Sequence, residues 1–293
     1  MAQTPQATTS TRRTAPTPAP YTSRHIEVGG LRLHYLDYGT AGKRPMLCVH
    51  GGAAHGHWFD FIAAAFTEDH HVLSIDLRGH GMSAWADPPD YSYDRMAADL
   101  AETAEKLDLR DYVLVGHSMG GTVSLTSAAR YPGRVGKLVV IDSTLHMTEE
   151  RVARLREVGS RQGSSYASRE DLVSRFKLRP GDSSRAAPEV VRYVAGFSAR
   201  QFEDGSWHHS FDRNIYAMRE STDGIPLWSN IKVPALVVKG GLSQRITPEI
   251  FAMIKARAPQ AELVEVANSD HHVTLDNPAG FVQVLRSFLD GNP

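Results

Sequence analysis

Ser118 is the residue whose surroundings point most directly to chemistry. It sits in Val115-Gly116-His117-Ser118-Met119-Gly120-Gly121, a G-x-S-x-G pattern between an apolar run and a helical pattern. Small residues at Gly116 and Gly120 let a strand turn sharply into a helix, holding the serine strained with its Oγ exposed. The backbone N–H of Met119, at the start of that helix, can then donate to an oxyanion. A second donor is expected from His50-Gly51-Gly52, where Gly52 presents its N–H without an obstructing side chain. A serine hydroxyl also needs a base, and Asp270-His271-His272 near the C-terminus supplies two adjacent histidines. Together these residue types are those of nucleophilic acyl chemistry.

Such residues work only if strands and helices bring them together. Short apolar runs at 25–28, 31–38, 46–50, 72–76, 112–116, 138–142, 235–239 and 263–266 read as eight strands. The middle runs are continuous, not alternating, as strands buried on both faces of a parallel sheet must be. Helical patterns at 58–66, 93–107, 120–131, 248–257 and 278–289 separate them. Two leading hairpin strands followed by β-α-β units predict a layered α/β fold. About ninety residues after Asp142 contain no convincing strand, only helical patterns at 149–158, 169–177 and 188–195 and an aromatic-rich stretch from Phe202 to Trp228. A structureless loop of that length is implausible, so an inserted helical cap is expected. The expected division is a tail at 1–24, core at 25–145, cap at 146–230 and core again at 231–293.

Composition excludes several classes. The 293 residues hold 32 Lys+Arg against 33 Asp+Glu, which leaves no footprint for nucleic acid. No apolar run is long enough to cross a bilayer. The one cysteine, Cys48, rules out an internal disulfide framework and any multi-cysteine zinc site. Between Glu149 and Asp223, 13 Lys+Arg face 12 Asp+Glu, so no one-signed field is expected from the cap. Residues 1–24 are rich in Thr, Ala and Pro with no acid, the composition of a disordered tail. Arg12-Arg13 lacks a following apolar stretch, and the prolines spoil a transit helix, so a cytoplasmic protein is expected.

These motifs resemble those of the α/β-hydrolase superfamily over about residues 24–289. The resemblance rests on His50-Gly51-Gly52, the loop Asp76-Leu77-Arg78-Gly79-His80-Gly81-Met82-Ser83, the serine elbow and the Asp270–Pro278 segment. It implies a mostly parallel eight-stranded α/β-hydrolase fold with a helical cap. In that family the catalytic histidine lies about seven residues before the proline that opens the last helix, which selects His271, with His272 as competitor. The family commonly places its acid four residues before a proline after the seventh strand, but that position here is Gln244. An amide orients an imidazole without neutralising its cation. Some branches, haloalkane dehalogenases and zearalenone hydrolases among them, place the acid after strand six. Asp142 then completes a triad of Ser118, Asp142 and His271. The competing readings are an aspartate closing a turn with Ser143 and Thr144 at the entrance of the cap, and Asp270 as the acid.

The Asp76–Ser83 loop reads as structural, with Asp76 and Arg78 pinning a bend that Gly79 and Gly81 permit. Cys48 reads as a small buried residue. The pairs His55/His57, His70/His71 and His208/His209 lack convergent carboxylates, so no metal is expected, and serine chemistry requires no cofactor. His55, His57 and Trp58, with Trp207, Phe211, Tyr216 and Trp228 from the cap, are the candidate substrate-binding residues. The expected activity is hydrolysis of a small to medium carboxylic ester, with Gly52 and Met119 holding the oxyanion. Lactone, carbon–carbon or amide cleavage on the same residues are alternatives, as is a non-catalytic ligand receptor, suggested by Gln244. Epoxide hydrolysis and dehalogenation are disfavoured because those branches use a carboxylate nucleophile. The expected partner is a small molecule, without nucleic acid or membrane, and the expected state a monomer or homodimer.

Overall fold

A computed structural model describes residues 17–180 and 184–291. Eight strands form one sheet: β1 (Thr22–Val28), β2 (Leu31–Asp37), β3 (Arg44–Val49), β4 (His70–Ile75), β5 (Tyr112–His117), β6 (Val135–Ile141), β7 (Ala235–Gly240) and β8 (Ala261–Val266). Their spatial order is β1-β2-β4-β3-β5-β6-β7-β8, antiparallel at β1/β2 and β2/β4 and parallel elsewhere. All eight expected strands are present, with ends displaced by at most three residues. β1 begins three residues before the expected boundary of the tail, and Ala19 is already buried, its N–H bonded to Asp60 O. Residues 1–16 of the expected tail lie outside the described residues.

The continuous apolar runs divide alternately between the two sheet faces. Leu47, Val49, Leu114, Val140 and Val237 face one layer, with Met96 and Leu100 of α1 (Tyr93–Lys106) and Val123 and Leu125 of α2 (Met119–Arg130). Met46, Cys48, Val113, Val115, Val139 and Val238 face the other, with Phe59, Ile62, Phe281, Leu285 and Phe288. Burial on both faces is why these strands show no period-two pattern. Helix starts follow local chemistry. The Ser92 hydroxyl accepts from Arg95 N at α1, and Thr247 accepts from Ile250 N ahead of Pro248.

Three further helices, α3 (Glu149–Ser160), α4 (Arg169–Arg175) and α5 (Pro188–Phe197), lie in a segment that adds no strand to the main sheet. The chain ends with α6 (Pro248–Arg257) and α7 (Pro278–Gly291). The expectation of no convincing strand in the ninety or so residues after Asp142 needs correction. A small hairpin pairs Ala199–Gln201 with Trp207–His209, and Thr222–Asp223 pairs with His146–Met147. Strands of two or three residues are too short to show a period. The helix expected over 58–66 is a 3₁₀ turn, Gly56–Phe59, followed by one helical turn, Asp60–Ala63. No helix among the described residues is long and apolar enough to cross a membrane.

The Asp76–Ser83 loop is pinned as expected. Asp76 accepts from Met82 N and Gly56 N, Arg78 makes a buried two-armed pair with Asp99, and Gly79 and Gly81 take φ of 73° and 54°.

Candidate active site

The chain leaves β5 through Ser118, whose φ of 53° and ψ of −119° place it outside the regions L-residues prefer. The conformation is held from both sides: Ser118 N donates to Ile141 O at 2.8 Å, and Ser143 Oγ donates to Ser118 O at 2.7 Å. The flanking glycines are needed for close approach. A Cβ on Gly116 would lie 2.4 Å from Gly120 O, and one on Gly120 would lie 2.3 Å from His50 O. Backbone strain at a half-buried polar residue that lines a pocket is a mark of a functional position. Asp142, the residue after β6, also takes a positive φ, of 44°.

Asp142 is fully buried, and His271 Nδ1 lies 2.8 Å from its Oδ2. An ionised carboxylate only accepts, so Nδ1 carries the proton and Nε2 is left free to act as a base. Ser243 Oγ donates to the same oxygen at 2.9 Å, with Arg245 Nε at 3.4 Å, and Gly240 N donates to Oδ1 at 3.4 Å. Burial pushes the Asp142 carboxyl up to about 6, although Ser243, Arg245 and the Gly240 N–H pull the other way. Burial, and then the neighbouring His117 and Arg245, hold His271 well below the usual imidazole range. The loop after β7 therefore contributes Ser243 and Arg245 to Asp142, while Gln244 is exposed. His272, the competing histidine, bonds Pro180 O through Nε2 and is held at about 4 by burial. Asp270 uses its backbone N–H to bond Asp276.

The glycine loop after β3 is fixed by His50. Leu77 N donates to His50 Nε2 at 3.0 Å, so Nδ1 must be the protonated nitrogen that donates to Gly51 O at 2.7 Å. Gly51 and Gly52, Ser118, Met119 and His271 all line one pocket of about 550 Å³. A Cβ on Gly52 would meet the Tyr216 hydroxyl at 2.9 Å. Cys48 lies buried in β3, and burial pushes its thiol far up, so it stays an inert filler.

Of the seven candidate substrate-binding side chains, Trp58, Phe211 and Tyr216 line this pocket and the other four do not. His55 is buried against Val194 O and Ser198 Oγ, and His57 pairs with the buried Asp60 and stacks on Phe197 at 3.5 Å. Both tie the segment after β3 to α5. Trp207 is taken up in the small hairpin, and Trp228 is fully buried in the core. Among the described residues no three His, Cys, Asp or Glu side chains gather as metal ligands.

The pocket wall also corrects the expectation of no one-signed field. Eight Lys and Arg side chains line it, seven from the segment between Glu149 and Asp223, and no Asp or Glu does among the described residues. A net count along the chain could not reveal this, because none of the described acids of that segment lines the pocket.

A strained serine after β5, a carboxylate after β6 bonded to a histidine after β8, and a glycine loop after β3 define a hydrolase of the doubly layered α/β class. A profile of the alpha/beta hydrolase family matches residues 46–284, and the chain belongs to that family. It is 28% identical over 271 residues to esterase Rv0045c of Mycobacterium tuberculosis, covering 87% of this chain and 85% of that protein. It is 26% identical to the 2-(acetamidomethylene)succinate hydrolase of Mesorhizobium japonicum, covering 92% and 96%. The crystal structure of an E-2-(acetamidomethylene)succinate hydrolase superposes with a TM-score of 0.81 at 23% identity, covering 92% of this chain and all of that one.

Proposed function

We propose that the protein is a serine hydrolase that cleaves small to medium carboxylic esters through an acyl-enzyme. The observation that carries this reading is the 2.8 Å bond from His271 Nδ1 to buried Asp142, beside a strained Ser118 in the same pocket. His271 Nε2 takes the Ser118 hydroxyl proton as Oγ attacks the acyl carbon. The resulting oxyanion is held by the N–H groups of Met119 and Gly52. Collapse breaks the bond to the alcohol oxygen, which leaves with the proton from His271. Water then attacks the acyl-enzyme, giving its proton to His271, and Ser118 is released with the carboxylic acid. Asp142 holds the histidine tautomer and neutralises the imidazolium at each step. Residues 146–230 act as the cap that encloses the substrate between two parts of the core, 25–145 and 231–293.

The relative named as an esterase supports ester hydrolysis. A second reading, amide cleavage by the same residues, is favoured by the other relative, whose named substrate contains an amide and no ester. The test is turnover of p-nitrophenyl esters from acetate to octanoate, with fluorophosphonate labelling, by the wild type and Ser118→Ala. Activity and labelling that both vanish in the variant support the serine mechanism. Turnover that survives Ser118→Ala, or a wild-type serine that resists labelling, overturns it.

A further inference from the structure

The proposed hydrolysis leaves the charge of the pocket unexplained. Five of its eight cations, Arg151, Lys177, Arg179, Arg213 and Arg219, have no carboxylate partner among the described residues. Arg151, Lys177 and Arg179 are exposed at the rim, while Arg213 and Arg245 are half-buried and Arg219 is only 4% exposed. The two half-buried guanidiniums are satisfied within the protein. Arg213 bonds the carbonyls of Val158 and Arg161, and Arg245 bonds Thr144 and pairs with Asp142.

Arg219 differs. Its Nη2 lies 3.1 Å from the thioether sulfur of Met119, its guanidinium stands 5.0 Å from the centre of the Tyr93 ring, and its Nε has no partner. A sulfur and a ring face are weak replacements for the oxygen ligands that a buried guanidinium requires. The surrounding segment is rich in acids, yet among the described residues none is placed here. Met119 is the residue after Ser118, so this unpaired cation stands beside the reacting centre.

We propose that the missing partner is the substrate: the enzyme acts on compounds that carry a carboxylate in addition to the scissile acyl group, and Arg219 binds that carboxylate. The rim cations draw anions toward the pocket, and the two-armed guanidinium fixes the substrate's orientation relative to Ser118. This assignment rests on the serine hydrolase reading for its chemistry but not for its binding.

Monoethyl succinate, glutarate and adipate are compared with ethyl butanoate, pentanoate and hexanoate by ethanol release. 3-Acetoxybenzoate is compared with phenyl acetate, placing the charge on the leaving side. The wild type is expected to prefer at least one charged ester over its neutral match by about ten- to a hundred-fold in kcat/KM. That ratio should collapse in Arg219→Met, be partly restored in Arg219→Lys, and fall with added salt in the wild type. A wild-type ratio near one for every pair, or a preference that survives both Arg219→Met and high salt, overturns the proposal while leaving serine catalysis standing. Glutarate and glutaramide binding to Ser118→Ala is measured by calorimetry in parallel. Tighter glutarate binding that Arg219→Met weakens supports the anion site even if no ester is turned over, the result that would sink the hydrolytic reading alone. Equal affinity for the two overturns the anion site.

Discussion

Replacing Asp142 by Asn tests where the acid of this enzyme resides. The carboxylate accepts from His271 and Ser243 with Arg245 close by, and its other oxygen takes the Gly240 N–H. An amide cannot satisfy this set. With its oxygen toward His271, its NH₂ opposes the Gly240 N–H, and no anion remains for the imidazolium. With its NH₂ toward His271, it donates to Nδ1 and leaves the proton on Nε2, the nitrogen that must receive it from Ser118. The charges of carboxylate and imidazolium lie ~4 Å apart, and at an effective dielectric of ~20 their attraction is about 4 kcal/mol, on the order of 10³ in rate. The wrong tautomer adds to this, and charge-to-amide exchange in a related triad costs about 10⁴ in kcat. Asp142→Asn should therefore lose about 10³- to 10⁴-fold in kcat/KM on a p-nitrophenyl ester, with a matching loss in the rate of fluorophosphonate labelling. Gln244→Ala, at the exposed position where the acid is common in this family, should stay within about three-fold of the wild type. An Asp142→Asn enzyme within a few-fold of wild type, or a Gln244→Ala loss of equal size, would falsify the assignment.

Three further outcomes follow from the same geometry. The working pair is Asp142 ionised and His271 neutral. Because burial lifts the Asp142 carboxyl to about 6, kcat/KM for a neutral ester should fall about ten-fold per unit as pH drops below about 6 and stay flat just above it; a profile flat from pH 7 to 5 contradicts this. In Gly120→Ala the new Cβ would lie 2.3 Å from His50 O and 2.4 Å from Val49 O, both backbone, so a loss of about 3 kcal/mol or more is expected in denaturant unfolding. Trp228→Ala empties a fully buried site outside the pocket. It should cost about 3–5 kcal/mol in stability while kcat/KM of the folded enzyme changes by less than about three-fold, and an activity loss as large as the Asp142→Asn loss would return Trp228 to the substrate site.

Burial explains why some elements are legible in the sequence and others are not. The strands at the centre of the sheet are legible because burial on both faces leaves continuous runs such as Tyr112–Val115, whose residues alternate between two layers. The Ala199–Gln201 and Trp207–His209 hairpin was not legible, because three residues carry no period. The proximity of His55 and His57 to the glycine loop in the sequence points to the pocket. Their rings instead satisfy Ser198 and Asp60, since the turn Gly56–Phe59 directs them away from the pocket.

From residue types and order alone come the nucleophile elbow and the donor loop, which depend on local backbone geometry that glycines and neighbouring apolar runs encode directly. The candidate histidines and the missing acid at Gln244 come from comparing that order with the family pattern. Which histidine meets which carboxylate was decided only by the tertiary structure. His271 and Asp142 are 129 positions apart and approach because β6 and β8 flank β7 in the sheet. The sign of the pocket was decided there too. A segment with 13 cations and 12 anions is nearly neutral along the chain, and only folding brings seven of its cations to the pocket wall and leaves Arg219 buried without an oxygen ligand among the described residues. Charge counted along a sequence is a sum, whereas a substrate meets the field of those charges that share one wall.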